Sequence, residues 1–349
     1  MNDAGNRHPI FIHALFRSGS TYFFQAFRRL GDEYTCFHEP LHELALQARQ
    51  DPELLNNDQD AGKAGELRHP TLNRPYFAEL YAMAGEVLPR LHESDIYHGY
   101  FGTPTDCRGL DYWRALIENA PARPVIQECR AAGRIGAIRH NLGGYHAYLW
   151  RNPRDQWWSY QVSPYFDLTT QLILNATPSH PLVERLIEHI GFTPVHGSPL
   201  HVAYDWFEHR PLAPDHSYQA FYALWLLALQ QAWDQADLLI NIDEISADRE
   251  ARRHIEQQFA EQGINGLDLS DCHSPVTVFS TDEQARLEAL ESEVHRLWRE
   301  AGLPEEALDH LLALRAEKAP RRSGPENETA WSRELARYRE LVTKRQQTM

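Results

Sequence analysis

Residues 9–30, PIFIHALFRSGSTYFFQAFRRL, constrain the fold of this 349-residue chain more than any other stretch. An apolar run is followed by a turn containing Gly19, and then Phe23, Phe24 and Phe27 recur at helical spacing. A strand, a glycine turn and a helix in succession direct backbone N–H groups and the positive end of the helix at one point. The stretch therefore predicts a strand–turn–helix unit that binds an anion such as phosphate or sulfate. The alternative is an ordinary strand-to-helix turn.

Further apolar runs alternate with helical patterns along the chain. Strands are predicted at 9–15, 34–38, 124–128, 145–150 and 238–242, with helices near 132–140 and 218–236. This alternation predicts an α/β fold, with a parallel central sheet of about five strands and helices on both faces. We interpret 41–120 and 161–216 as substrate-side insertions and 317–349 as a charged C-terminal tail, all within a single domain, 1–349.

The charge balance and the cysteines limit the possible partners and compartment. Lys and Arg number 34 against 49 Asp and Glu, and no basic block is long enough to follow a nucleic-acid backbone. Nucleic acid is therefore not an expected partner. No apolar run approaches the ~20 residues of a membrane span, and no signal peptide is expected before Pro9. The four cysteines lack metal-ligand spacing, which favours a cytoplasmic location. The pattern does not indicate an oligomeric state.

The opening turn departs from the loop that binds nucleoside triphosphates. That loop, GxxxxGK[ST], needs a lysine that reaches the outer phosphates. Here Ala14 stands in place of its first glycine, and Ser20 in place of its lysine. The nearest cation is Arg17. A kinase or ATPase is thus less favoured, whereas anion binding is retained.

A second stretch, YLWRNPRDQWWSY at 148–160, predicts another ligand contact. Asn152 followed by proline favours a helix start directly after a strand, with Asp155 completing a cap-like pair. Arg151 then lies at the carboxyl end of that strand, where α/β sheets bind ligands. Ser159 lies two turns into the helix on the face of Asn152. A guanidinium and a hydroxyl so placed can share one phosphate. The alternative is a surface arginine and an ordinary helical serine.

Together, the RSGST turn and the strand ending in RNPR, with a serine eight residues after its first arginine, resemble the sulfotransferase family. The resemblance covers mainly 9–40 and 124–160, with a fainter similarity at 238–245. It implies a P-loop NTPase-like sulfotransferase fold and the donor 3′-phosphoadenosine 5′-phosphosulfate (PAPS). The arginine in the first loop is more similar to the carbohydrate and bacterial branches than to the cytosolic small-phenol enzymes. The implied donor contacts are Arg17, Ser18, Gly19, Ser20 and Thr21 at the 5′ end, and Arg151 and Ser159 at the 3′-phosphate.

The same resemblance suggests the catalytic residues. Cytosolic relatives place a histidine just after the third strand, where this chain has Gln127, Glu128, Cys129 and Arg130. Other branches use a glutamate just after the second strand, and Glu39 occupies that position within an EP dipeptide. The resemblance thus implies that Glu39 is the general base and that Arg17 stabilises the leaving phosphate. The alternative for Glu39 is a solvated loop carboxylate.

Residues 38–42 also spell HExxH, the zinc motif of metalloproteases. That motif needs both histidines on one continuous helix. Pro40 disfavours helical backbone at Glu39, so a helix through His38 is not expected. We therefore expect no metal at this motif.

Three residues have weaker assignments to the acceptor side: His38, Arg130 and Arg134. For the two arginines, plain surface salt bridges are the alternative. The loop Arg321-Arg322-Ser323-Gly324 would cover the 3′-phosphate if it followed the family, and otherwise belongs to a solvated tail.

The expected function is sulfuryl transfer from PAPS to a hydroxyl, or less readily an amine, of a small-molecule or glycan acceptor, with no metal. Two alternatives stay open: a magnesium-dependent nucleotide kinase, and a non-catalytic module that binds a nucleotide on the same fold.

Overall fold

A computed structural model describes residues 8–56 and 74–320. Its sheet has five strands, all parallel, in the order β2-β3-β1-β4-β5. The strands are Ile10–Ala14 (β1), Tyr34–His38 (β2), Arg123–Glu128 (β3), Tyr145–Trp150 (β4) and Leu238–Asn241 (β5). The prediction of an α/β fold with a five-stranded parallel sheet is confirmed.

Helices occupy most of the described chain between and after the strands. They are Ser20–Arg28 (α1), Glu43–Gln47 (α2), Ala78–Ala82 (α3), Ala84–Val87 (α4), Leu110–Asn119 (α5), Ile135–Leu142 (α6), Pro153–Tyr160 (α7), Pro164–Leu174 (α8), Pro181–Ile190 (α9), Leu200–Glu208 (α10), Pro214–Gln235 (α11), Ile242–Ala247 (α12), Arg249–Glu261 (α13), Thr281–Glu300 (α14) and Glu305–Glu317 (α15). Short 3₁₀ turns lie at Pro52–Leu55, Leu88–Arg90, Glu93–Asp95 and Ala132–Arg134.

One face of the sheet is covered by α1 and α13. Phe27 of α1 meets Phe259 of α13 edge-to-face at 5.4 Å between ring centroids, and Phe259 also contacts Tyr145 at the start of β4. The aromatic spacing that predicted α1 therefore places its rings in the core, because residues three and four apart share one helix face. All five residues of β1 are buried, as a central parallel strand requires.

The opposite face is covered by α5 and α11. Trp113 of α5 packs edge-to-face on Phe11 of β1 at 6.1 Å, and Trp225 of α11 packs on Trp150 of β4 at 6.2 Å. Helices thus lie on both faces, as predicted. Because α5 belongs to the segment 41–120, part of that predicted insertion supports the core.

Where they are described, the two predicted insertions consist of helices joined by turns and irregular segments. The segment 41–120 contains α2 to α5, and 161–216 contains α8 to α10 together with the start of α11. Most of the predicted tail, 321–349, lies outside the described residues, and so does the predicted loop Arg321–Gly324. Among residues 8–56 and 74–320, no helix is both long and apolar enough to cross a membrane.

Parallel pairing brings the carboxyl ends of all five strands to one edge of the sheet. The turn 15–19 follows β1 at this edge, and Glu39, Arg130, Arg151 and Asp243 come one to two residues after β2, β3, β4 and β5. Ligands of α/β sheets bind at this edge. The topology therefore gathers most of the predicted site residues.

Candidate functional site

The turn 15–19 has a backbone conformation that few residue types adopt without strain. Arg17 and Gly19 both have positive φ, 66° and 85°. A Cβ at Gly19 would also lie 3.2 Å from Cγ2 of Ile242, so this position combines left-handed backbone with a close approach. The buried Ser18 hydroxyl donates to the Leu15 carbonyl at 2.7 Å. The Ser18 side chain thus closes the turn, and a ligand contact from Ser18 would come from its backbone.

The turn leads directly into the N-terminus of α1. Phe23 N–H donates to the Gly19 carbonyl at 3.1 Å, so the N–H groups of Ser20, Thr21 and Tyr22 precede the first intrahelical bond. No side chain caps this helix. These N–H groups, together with the positive end of the helix, form the arrangement that binds anions.

Arg17 links this turn to the second motif. Its Nε donates to Oγ of Ser159 at 2.9 Å, although the two residues are 142 positions apart. Gln156, also on α7, donates to the Phe16 carbonyl at 2.8 Å. The sequence paired Ser159 with Arg151, whereas the structure pairs it with Arg17. The two predicted motifs are therefore in direct contact.

Arg151 is buried in an ion pair, and the surface-arginine alternative is wrong. Its Nε donates to Oδ1 of Asp243 at 3.0 Å, and its Nη2 donates to the Pro275 carbonyl at 2.8 Å. Within the described residues its Nη1 has no partner. Asp243 also accepts a hydrogen bond from the backbone N–H of Asn152 at 2.7 Å. In the predicted cap-like pair, that N–H would have bonded the side chain of Asp155 instead. Sequence reasoning missed Asp243, although it follows the predicted strand 238–242 directly.

Asn152 has its predicted role at the start of α7. Its side chain accepts the N–H of Arg154 at 3.1 Å, and Pro153 is the first helical residue. The carboxylate of Asp155 accepts the N–H of Thr277 at 2.7 Å. The cap therefore holds the helix start, while Asp155 ties α7 to the segment before α14.

Arg130 is the centre of a second cluster at the same edge. Its fully buried side chain places Nη1 2.6 Å from Oε2 of Glu39 and Nη2 3.0 Å from Oε2 of Glu43, and Nη2 also bonds the hydroxyl of Tyr165. A third carboxylate, Glu128, lies 3.8 Å from Nη1. The surface-salt-bridge alternative for Arg130 is therefore wrong. The side chain of Glu39 is only 12 % exposed, so the solvated-loop alternative is wrong as well.

Sequence reasoning missed Glu43, Tyr97 and Tyr165, the other members of this cluster. The hydroxyl of Tyr97 donates to Glu43, and that of Tyr165 does so at 3.1 Å. Glu43 lies four residues after Glu39, a spacing that a search for paired carboxylates would have found. No local signal marks the tyrosines.

Three carboxylates around one guanidinium have different proton affinities. Burial acts to raise the pKa of Glu39, but Arg130 and the neighbouring His38 and His42 lower it on balance. Burial also acts to raise the pKa of Glu43, but other groups, chiefly Arg130, outweigh burial and bring this pKa to about 2. Burial raises the pKa of Glu128 to about 7 against the effect of Arg130. Glu39 and Glu43 are thus ionised at neutral pH, whereas Glu128 exchanges its proton there.

The HExxH letters do not form a helical zinc motif. His38 ends β2, Glu39 has a φ of 38°, and α2 begins only at Glu43 with His42 as its N-cap. Across the described part of the chain, no three His, Cys, Asp or Glu side chains are arranged to hold a metal ion. Burial lowers the pKa of His38 to about 4, so its imidazole is neutral and packs on the Tyr76 ring at 4.9 Å.

Arg134 is buried away from solvent, which excludes a surface salt bridge. Its Nη2 donates to the backbone carbonyls of Asp95 at 2.8 Å and Ile96 at 3.3 Å. It thereby fastens the segment around 95–96 to the residues that follow β3. These contacts give Arg134 a structural role beside its sequence-based assignment to the acceptor.

A cleft of about 460 Å³ lies elsewhere, beside β5, α13 and α15. Trp150, Asn241, His254 and Lys318 contribute to its walls. None of Arg17, Glu39, Arg130 or Ser159 borders it. The chemistry predicted from the sequence is therefore concentrated outside this cleft.

Neither a protein-family model, nor a curated protein, nor a solved structure matches this chain.

Proposed function

We propose that the protein transfers the sulfuryl group of PAPS to a hydroxyl, giving 3′-phosphoadenosine 5′-phosphate and a sulfated product. The hydrogen bond between Arg17 and Ser159 carries the proposal, because it joins the two motifs on which the sulfotransferase resemblance depends. The finer fold assignment, a P-loop NTPase-like sulfotransferase fold, belongs to the same proposal. It is supported by the strand order and by the RSGST turn between β1 and α1.

The donor would lie along the carboxyl edge of β1 and β4. Its 5′-phosphosulfate would accept N–H bonds from the start of α1, beside the guanidinium of Arg17. Its 3′-phosphate would contact Ser159 and Nη1 of Arg151. The ion pair with Asp243 orients the Arg151 guanidinium and also balances its charge. The residues present therefore fit the donor, and Asp243 makes the 3′ end less positive than the motif alone suggests.

Sulfuryl transfer needs a base on one side of sulfur and a stabilised leaving group on the other. The acceptor oxygen attacks sulfur, the bond from sulfur to the bridging phosphate oxygen breaks, and the acceptor proton passes to Glu39. Oε2 of Glu39 is bound to Arg130, while Oε1 lies 4.0 Å from Nε2 of the neutral His38 imidazole. Oε1 is thus the oxygen available to the acceptor. Arg17 and the α1 N–H groups stabilise the charge on the leaving phosphate oxygen.

The acceptor in this proposal is a small molecule or glycan with a hydroxyl group, and an amine is the less favoured nucleophile. A cytoplasmic location is also proposed, supported by the four cysteines, all of which are free thiols.

The test has two stages. Thermal unfolding is first measured with 3′-phosphoadenosine 5′-phosphate plus EDTA, and separately with ATP plus magnesium. The proposal expects stabilisation by the first ligand alone, and Ser159→Ala should reduce it. Radiolabelled PAPS is then incubated with a panel of alcohols, sugars, phenols and amines, and labelled product is expected with at least one hydroxyl acceptor.

Two results would replace the proposal with another function. Stabilisation by ATP only in the presence of magnesium would favour a nucleotide kinase. Tight binding of 3′-phosphoadenosine 5′-phosphate without transfer to any acceptor would favour a non-catalytic nucleotide-binding module.

A further inference from the structure

The first turn of α8 lies between the two arginines of the site. On the Arg130 side, the hydroxyl of Tyr165 accepts a hydrogen bond from Nη2 of Arg130 and donates one to Glu43. The next residue, Phe166, places its ring 5.3 Å from the guanidinium carbon of Arg17. Two successive residues of one helix therefore contact the proposed donor cation and the cation that pairs with the proposed base.

Phe16 of the β1–α1 turn completes this arrangement. The Arg130 guanidinium lies 5.0 Å from its ring centroid. The Phe16 ring contacts those of Tyr165 at 6.3 Å and Phe166 at 5.8 Å. Phe16, Tyr165 and Phe166 thus form an aromatic wall with Arg17 at one end and Arg130 at the other.

Local interactions hold the start of α8. Ser163 is the N-cap and accepts the N–H of Tyr165 at 3.3 Å, and Pro164 is the first helical residue. Phe166 also packs on Tyr160, the last residue of α7, at 5.4 Å. The two residues are consequently placed by backbone and packing rather than by mobile side chains.

We propose that Tyr165 and Phe166 are positioning residues, which set the Arg130–Glu39 pair and Arg17 at a fixed separation across the aromatic wall. This inference rests on the proposed sulfotransferase function. Transfer requires the base and the leaving-group cation on opposite sides of sulfur, and a displacement of about 1 Å can cost roughly a hundredfold in rate. A hydroxyl bound to two charged groups and a ring facing a guanidinium both restrict side-chain rotation. One helix turn therefore couples the acceptor side to the donor side.

Tyr165→Phe removes the hydroxyl and keeps the ring. We expect kcat to fall by about tenfold, in line with one lost hydrogen bond to charged partners, while affinity for 3′-phosphoadenosine 5′-phosphate is retained. Ionised Glu43 loses a donor, so its pKa should rise. Arg130, no longer bound by the hydroxyl, should also lower the pKa of Glu39 less. The acid limb of the kcat–pH profile, which reports the proposed base Glu39, should therefore move to higher pH. A purely structural role would lower stability without moving this limb.

Tyr222→Phe is the matched control. Tyr222 is also buried, and its hydroxyl also contacts an arginine, Arg315, at 3.2 Å, but its hydroxyl partners, Arg315 and His295, do not belong to the Arg130 cluster. We expect this variant to keep the wild-type pH profile and the wild-type titration of Glu43.

Phe166→Leu tests the other end of the wall. Loss of the ring facing Arg17 should weaken binding of 3′-phosphoadenosine 5′-phosphate by about three- to tenfold. The Glu43 titration should stay as in the wild type. Phe207→Leu, on the neighbouring helix α10 and in the stacked pair with Phe192, serves as the control for a lost buried ring.

A readout that does not need activity separates this inference from the proposed function. Glutamate labelled at its side-chain carboxyl is followed by NMR across a pH titration, with Glu43→Gln to assign the resonance. A raised Glu43 pKa in Tyr165→Phe, together with weaker nucleotide binding in Phe166→Leu, supports the inference. Unchanged titration and turnover in Tyr165→Phe would overturn it. If the wild type neither binds the nucleotide nor transfers sulfate, the proposed function fails, and the Glu43 titration still decides whether Tyr165 positions the Arg130 cluster.

Discussion

Two buried networks in this protein use the same three side-chain types in opposite proportions. In the Arg130 network, one guanidinium faces three carboxylates, Glu39, Glu43 and Glu128. In the Glu291 network, one carboxylate faces two guanidinium groups. Arg154 binds both oxygens of Glu291 at 2.9 Å, and Arg315 binds Oε1 at 2.9 Å. Tyrosine hydroxyls complete both networks.

The ratio of carboxylates to guanidinium groups distinguishes a structural network from a reactive one. Glu291 has every neighbour it needs, including the hydroxyl of Tyr218 at 2.5 Å. Burial alone would raise its pKa, but Arg154 and Arg315 bring the pKa to about 2. The network ties α7 to α11, α14 and α15 and takes up no proton near neutrality. In the Arg130 network Oε1 of Glu39 is left available, and burial, together with the nearby Glu39 carboxylate, raises the pKa of Glu128 to about 7. Only the Arg130 network is suited to proton transfer.

Glu39→Gln should have the largest effect on function. Removing the proposed base is expected to lower turnover by roughly 10²- to 10⁴-fold while nucleotide affinity stays nearly unchanged. Steady-state kinetics with the best acceptor and calorimetric titration of 3′-phosphoadenosine 5′-phosphate measure the two quantities. Full activity in this variant would remove Glu39 as the base.

Glu291→Ala should have the largest effect on stability. It leaves the largely buried Arg315 without its counter-charge and Arg154 with only the exposed Glu288 at 3.6 Å. Breaking a buried pair in this way typically costs about 3 to 5 kcal/mol of unfolding free energy. Urea unfolding followed by fluorescence measures this cost. A loss as small as that expected for a surface ion pair would contradict the structural role assigned to the network.

Arg151→Ala tests a third proportion, one guanidinium with one carboxylate. The change removes a proposed phosphate contact and leaves Asp243 without its cation. Binding of 3′-phosphoadenosine 5′-phosphate should weaken by about 2 to 5 kcal/mol, the range for a buried charge pair that loses one partner. Calorimetric titration against the wild type provides the measurement, and unchanged affinity would exclude Arg151 from the 3′-phosphate site.

Glu128→Gln tests the carboxylate excess through pH. Folding raises the pKa of the Glu128 carboxyl from 4.5 to about 7. Between these two pH values the folded chain keeps this proton while the unfolded chain loses it, so the folded state becomes less stable as pH rises from about 4.5 to about 7. The variant lacks this effect. The stability difference, variant minus wild type, should therefore increase between pH 5 and 7, by up to about 1.4 kcal/mol for each pH unit over which only the folded carboxyl keeps its proton. Urea unfolding at several pH values measures it, and a flat difference would contradict the raised pKa.

Arg299→Ala provides the baseline for exposed pairs. Arg299 contacts Glu305 at 2.8 Å, but both side chains are at least half exposed. Its removal should change the unfolding free energy by less than about 1 kcal/mol, because water screens such pairs. A larger loss in urea unfolding would mean that proximity alone, without burial, explains the two networks.

Local patterns in the sequence predicted much of the fold. The five strands, the aromatic face of α1 and the Asn152 cap follow from rules that act over a few residues. Pro40 likewise accounted for the break between His38 and α2. The sequence also placed Arg17, Glu39, Arg130 and Arg151 at strand ends, because parallel strands share one carboxyl edge.

The sequence alone therefore determined which groups reach the edge of the sheet. Only the tertiary structure decided which of these groups pair with one another. Ser159 bonds Arg17 rather than Arg151, and Arg151 is neutralised by Asp243. Tyr165 joins Arg130 from a helix that no short-range pattern connects to β3. The physical reason is that periodicity and capping act between near neighbours, whereas hydrogen bonding, burial and charge act through space between segments up to 142 residues apart.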